Sequence, residues 1–286
     1  AFAICVIGIL LFIIRELTAK VPVVNLRLFK DTTFASATII SFVMFAMLMG
    51  SMFLLPVFAQ ESLHYTATIS GLMLMPRTLA MMVASPFVGR LYNQVQPRFI
   101  VGFGVIMFAI GSWMLSHITI DTSSSAMIFP LIVTGIAFAC LFVPLMTAAL
   151  AKIERSQMAD AAGLNSFIRQ IGGSVGLTIF ATMFTNYAIE ARVGLSAHLT
   201  TLRPEVVGRL SELSRLAMIH GADAATANLQ AARALGMAMY QQATVLSFDR
   251  VFMLQGVLFL FVLPVLFFLR VPRLVGEKVH VEMPGE

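Results

Sequence analysis

The sequence predicts an all-α fold: a polytopic membrane helix bundle of about seven transmembrane helices. Two observations predict it, an extreme apolar composition and a series of long apolar runs joined by polar links. A third, the placement of the basic residues, orients the runs. The chain is 59% hydrophobic and 12% charged, with mean hydropathy +0.91. Soluble domains carry about 45–50% apolar and about 25% charged residues. Such an apolar excess needs an exterior of lipid.

The runs occupy 1–14, 34–58, 71–91, 99–116, 126–151, 163–188 and 251–269. Most reach the roughly 20 residues that span a bilayer as a helix. A transmembrane β-barrel would need alternating segments of about ten residues, and these runs do not alternate. The first run starts at Ala1 without a preceding Met, which reads as a cut inside or just before a membrane helix.

Basic and non-basic links alternate. Arg15, Lys20, Arg27 and Lys30 follow the first run, while 59–70 holds no Lys or Arg. Arg90 and Arg98 follow the third run, and 117–125 again has none. Lys152 and Arg155 follow the fifth, and Arg270, Arg273 and Lys278 follow the seventh. The positive-inside rule puts the basic links and the C-terminus in the cytoplasm, as for a multi-pass protein of an inner or plasma membrane. The segment 190–249 is longer and mixes arginines with acids. Apolar residues at helical spacing predict two external amphipathic helices there, broken around Gly221; a re-entrant hairpin is the alternative.

Several residues stand out inside the runs. Arg77 lies about one and a half turns into the third run, either snorkelling to the outer interface or lining a cavity. Pro76, Pro86 and Pro144 mark places where helices bend or open. Asn165 and Arg169 share a helix face near the start of the sixth run. Gly172 and Gly176 form a small-xxx-small pair suited to close helix approach. Met44, Met47, Met81, Phe138 and Phe142 are candidate cavity residues, because Met fills irregular apolar space.

Other functions find no support. The positive charges form no basic stripe for nucleic acid. Cys5 and Cys140 lie in apolar runs with no disulfide or metal pattern, and no pair of histidines has metal-ligand spacing. No phosphate loop, dinucleotide fingerprint or catalytic triad is present, so no cofactor and no enzyme activity are expected.

Three stretches carry a resemblance. In 60–71, Gln60 opens a small loop that leads through Gly71 to Pro76. In 89–98, Gly89, Arg90 and Arg98 frame a short loop. The most specific, 162–176, contains Asn165, Arg169, Gly172 and Gly176. Together they make the chain similar, over nearly its whole length, to the C-terminal half of the fourteen-span drug:proton antiporter branch of the major facilitator superfamily. Asn93, Gln94 and Gln96 depart from that superfamily's cytoplasmic loop, where Asp, Arg and Gly are usual, so its charge network is not expected here.

The resemblance implies that 1–30 is the end of an inter-domain linker helix and its cytoplasmic link. It implies a six-helix transporter domain over 31–272, with the external segment 190–248 inside it, and a cytoplasmic tail over 273–286. It further implies efflux of drugs or other amphiphiles against inward proton flow. The partners would be a small amphiphilic substrate, protons, the lipid bilayer and an N-terminal half of the same chain, with a periplasmic adaptor as a further candidate. Export of a specific metabolite, siderophore, peptide or lipid is the alternative within this fold. A membrane assembly protein without flux is the alternative outside it.

Overall fold

A computed structural model describes residues 15, 26–119, 122, 124–198 and 204–268. The expected first span at 1–14 and the tail at 273–286 lie outside the described residues. Asp31 starts α1 (Thr32–Glu61): its carboxylate accepts from the Thr33 and Phe34 backbone N–H groups at 2.6 and 3.1 Å. That satisfies two donors which a helix start otherwise leaves unpaired.

The third expected span is two helices. After α2 (Ala67–Leu72) the chain breaks at Met73–Leu74 and resumes as α3 (Met75–Tyr92). Pro76 sits in the first turn of α3, where its missing N–H is not needed. Pro97 begins α4 (Pro97–Leu115) in the same way. By contrast α5 (Ser124–Leu150) runs through both Pro130 and Pro144.

A 3-10 turn at Arg155–Gln157 leads into α6 (Met158–His198). Next come α7 (Pro204–Ile219), a turn with Gly221 at φ +93°, and α8 (Ala224–Leu260). A second 3-10 turn, Leu263–Phe268, follows.

The break lies where the external helices were expected to part, but their ends differ. The second amphipathic helix and the last span are one continuous helix, α8, and the sixth span continues unbroken to His198. No proline interrupts 224–260, and Gly236 alone costs a helix only about 1 kcal/mol. The polar pair Gln241–Gln242 changes what that stretch faces, not whether it is helical.

Six segments of the described chain are long and apolar enough to cross a membrane, from Thr32–Glu61 to Ala224–Leu266. Among the described residues every regular element is helical. α1 lies along α6, α3 and α4 lie along α5, and α8 packs against α4, α6 and α7. Buried phenylalanines fill the centre. Phe58 stacks on Phe248 at 4.3 Å, and Phe108 meets Phe138 and Phe259 edge-on at 5.2 and 5.0 Å.

One buried polar contact crosses this core. Gln255 of α8 donates from Nε2 to the Met47 carbonyl at 2.6 Å, and Ser51 Oγ donates to Gln255 Oε1 at 3.1 Å. At one end of the bundle, Tyr240 donates to Glu61 at 3.2 Å, and Gln241 meets the His64 ring at 2.7 Å. α8 before Tyr240 therefore rises beyond the end of α1 by about 25 Å, with α7 folded against it. The basic links, with Arg90, Arg98, Lys152 and Arg155, gather at the opposite end.

Candidate functional site

The site is assembled around α5 by side chains of α3 and α6. Phe138 and Phe142 are one turn apart and share a face. Each seats an arginine from a different neighbour. The Arg77 guanidinium of α3 lies 4.5 Å from the Phe138 ring centre, and that of Arg169 on α6 lies 5.5 Å from the Phe142 ring centre. Arg169 also covers Phe45 of α1, at 4.7 Å. A cation over an aromatic face gains about 0.5–1 kcal/mol when exposed and about 2 or more when desolvated.

Close helix approach makes these contacts reachable. A Cβ at Gly135 of α5 would collide with the Arg77 carbonyl oxygen and lie 2.9 Å from the Ala80 Cβ. Only a glycine lets α3 come so near. Likewise, a Cβ at Gly172 would run into the Phe42 carbonyl, and one at Gly176 into Ala46. These two glycines seat α6 on α1 one and two turns beyond Arg169, which brings its guanidinium over Phe45.

Arg77 is only 5% exposed. It and Val88 are the buried residues of α3. Its side chain turns into the bundle, and Nη2 has no hydrogen-bond partner among the described residues. Arg169 is half-buried. It donates from Nη1 to the Met146 sulfur at 3.3 Å and from Nη2 to Ser166 Oγ at 3.3 Å. Asn165, 1% exposed, donates from Nδ2 to the same sulfur at 3.9 Å. Its Oδ1 is left without a partner among the described residues. Beside this cluster runs an open apolar groove of about 590 Å³ lined by Tyr92, Phe142, Val143, Met146, Thr147 and Leu150.

The structure thus brings together Arg77, Phe138, Phe142, Asn165 and Arg169. Met44 and Met47 are buried in the core of the bundle, away from any open face. Met81 is half-buried against that core. Pro144 is buried on α5 between Phe142 and Met146, Pro76 is half-buried beside Leu131 and Ile132 of α5, and Pro86 is exposed on α3. Gly89, Arg90 and Arg98 flank the α3–α4 link, and Arg98 stacks on Phe99 at 4.9 Å.

Sequence reasoning passed over Met146, Ser51 and Gln255. Met146 sits in an apolar run with nothing to mark it as the acceptor for two α6 side chains. Gln255 was legible as a polar residue in a span, since such residues are costly in hydrocarbon and usually face protein.

Among the described residues, no group of three His, Cys, Asp or Glu side chains could hold a metal ion.

Comparison with known proteins agrees with this architecture. The chain is 29% identical over 272 residues to the multidrug export protein EmrB of Escherichia coli (strain K12), a match covering 94% of this chain and 51% of that protein. It is 26% identical over 269 residues to the fatty acid resistance protein FarB of Neisseria gonorrhoeae, covering 94% and 52%. To the lincomycin resistance protein LmrB of Listeria innocua serovar 6a it is 30% identical over 175 residues, covering 61% and 37%. The chain spans about half the length of the first two relatives. Residues 1–177 match the family model described as the Major Facilitator Superfamily, more than half of the 286 residues, and so the chain belongs to the major facilitator superfamily.

Proposed function

We propose that this chain forms the C-terminal wall of a secondary transporter that exports drugs or other amphiphilic compounds, driven by inward proton flow. Membership of the superfamily makes it part of a transport protein rather than an enzyme. The observation that carries the reading is the pair of arginines on α5. Arg77 comes from α3 and Arg169 from α6; one aromatic ring covers Arg77 and two cover Arg169, and each makes few hydrogen bonds among the described residues. Such contacts slide and reform as helices tilt, which suits a wall that must adopt two arrangements. The apolar groove beside Phe142 and Met146 offers an amphiphile a surface of matching character.

In this reading the basic end faces the cytoplasm, the half-exposed faces of α3 and α6 meet an N-terminal half, and protons enter through residues of that half. The printed names of the relatives, multidrug export, fatty acid resistance and lincomycin resistance, support an amphiphilic substrate. The projection formed by α7 and the outer parts of α6 and α8 is the surface where a periplasmic adaptor would dock.

Dye efflux from cells carrying the full-length protein tests the proposal, with and without a proton uncoupler. Export that stops on uncoupling is expected, and export that continues would remove proton coupling. Arg169→Ala is expected to cut efflux while leaving membrane insertion intact; Arg169→Lys restores it only in part, because an ammonium lacks the planar stacking face. Full efflux by Arg169→Ala would contradict a role for this side chain in the transport cycle.

A further inference from the structure

α4 carries a stripe of exposed apolar side chains along its whole length: Phe99, Phe103, Ile106, Ile110 and Trp113. Their spacing of four, three, four and three residues keeps them on one face. This face looks away from α5 and from the arginine pair. A helix of 19 residues is about 28 Å long, close to the thickness of the hydrocarbon layer. The stripe is therefore the lipid-facing side of the bundle.

At its basic end the stripe is notched. α8 stops at Leu260, and the 3-10 turn Leu263–Phe268 that follows packs on α4. Gly102 supplies no side chain, and a Cβ built on it would only touch Leu266 at 3.5 Å. The result is a groove of about 530 Å³ lined by Phe99, Gly102, Phe103, Ile106, Leu263 and Leu266, with Arg98 as its charged residue. Arg98 is exposed. Among the described residues its interaction is with the Phe99 ring, and it forms no ion pair with a carboxylate. That ring holds the guanidinium at the mouth of the groove, and no hydrogen bond from its N–H groups is made among the described residues.

An apolar slot ending in an unneutralised guanidinium, on a face turned to hydrocarbon, has the chemistry of a phospholipid binding site. We propose that this groove holds one anionic phospholipid, an acyl chain lying between Phe103 and Leu266 and the headgroup phosphate paired with Arg98. Charge complementarity selects the occupant: the basic end of a membrane protein meets the leaflet where anionic headgroups and basic side chains attract each other. A phosphate offers Arg98 the bidentate partner that the described chain does not. The groove differs from the rest of the stripe in having depth, so a lipid there exchanges more slowly than its neighbours.

Native mass spectrometry of the full-length transporter tests this, with phosphatidylglycerol, phosphatidylcholine or inorganic phosphate added to the detergent solution. One phosphatidylglycerol retained per chain is expected, with phosphatidylcholine and phosphate not retained. Arg98→Gln should weaken phosphatidylglycerol retention about tenfold, the scale of one lost charged hydrogen bond, and Gly102→Phe should abolish it by filling the slot. Equal retention by wild type and both variants would overturn the proposal, as would equal retention of the two lipids. A photo-crosslinking residue at Phe103 gives a second readout that does not depend on stability in the spectrometer. A lipid adduct on that residue supports the site. A crosslink to 269–286 of the same chain would show that the tail fills the groove and would overturn it.

Discussion

Replacing Gly176 by alanine probes one of the close helix contacts in the bundle. The added methyl would stand 2.5 Å from the Ala46 Cβ and nearer still to the Ala46 Cα and carbonyl oxygen. Ordinary carbon contacts begin near 3.5 Å. Backbone atoms cannot rotate aside, so α6 must retreat from α1 by about 1 Å, a shift shared by neighbouring contacts along the interface. Overpacking of this kind costs roughly 1–3 kcal/mol. Replacing a helical glycine also gains up to about 1 kcal/mol of propensity.

Gly194→Ala isolates the propensity gain, because it lies on the same helix with nothing within 4 Å of the new methyl. The two variants should therefore differ by roughly 1–3 kcal/mol, with Gly176→Ala the less stable. Thermal unfolding in detergent can be followed with a thiol-reactive dye in a Cys5→Ser background, where buried Cys140 reports opening of the bundle. Equal unfolding temperatures for the two alanine variants would refute the close contact between α6 and α1.

Three further outcomes follow from the structure. Ser51→Ala and Gln255→Leu should show a coupling of roughly 0.6–1.7 kcal/mol in a double-mutant cycle, the range for hydrogen bonds between membrane helices; strict additivity would mean that the contact is not formed. Arg77→Leu removes a buried cation whose Nη2 has no partner among the described residues and should raise the unfolding temperature, by analogy with buried ions replaced by apolar groups at a gain of about 1–4 kcal/mol, while the proposed efflux should fall; a less stable variant would mean that Arg77 has a strong partner. At the start of α8, hydrogen bonds from Thr226 and then Ala225 hold the Asp223 carboxyl below the usual carboxylate range. A depressed folded-state value means the cap stabilises the helix above about pH 4, and the contribution is lost as pH falls further. Hydrogen exchange at the Ala225 and Thr226 amides, corrected for intrinsic rate, should quicken below that pH in the wild type and stay level in Asp223→Asn.

Much of this architecture is legible in the sequence because the bilayer reduces the problem to run length and flanking charge. The span at 34–58 falls within α1, those at 99–116 and 126–151 overrun α4 and α5 by one residue each, and the break at Gly221 is where the turn occurs. The ends of α6 and α8 were hidden for a physical reason. Hydropathy reports where a helix leaves hydrocarbon, not where it stops being a helix, and nothing in 224–250 forbids helical backbone. The candidate site was half legible. Arg77, Arg169, Asn165, Phe138 and Phe142 are each conspicuous by type, and the periodicity of α5 puts the two rings on one face. That the rings seat those two arginines depends on the approach of α3 and α6, which Gly135, Gly172 and Gly176 set by lacking side chains. Met44 and Met47 are buried in this structure, and their type alone could not show it, because a methionine inside a span reads the same whether it fills a core or lines a cavity.

The continuity of α6 and α8 has a mechanical consequence. At 41 and 37 residues they are stiff rods of roughly 60 and 55 Å, and neither has a proline within it to act as a joint. Any swing of their membrane portions is transmitted undamped to the aqueous tip. For an arm of about 25 Å, a tilt near 10° displaces the tip by roughly 4 Å. Under the proposed transport cycle, a protein gripping that tip would register which way the wall is leaning without touching the substrate.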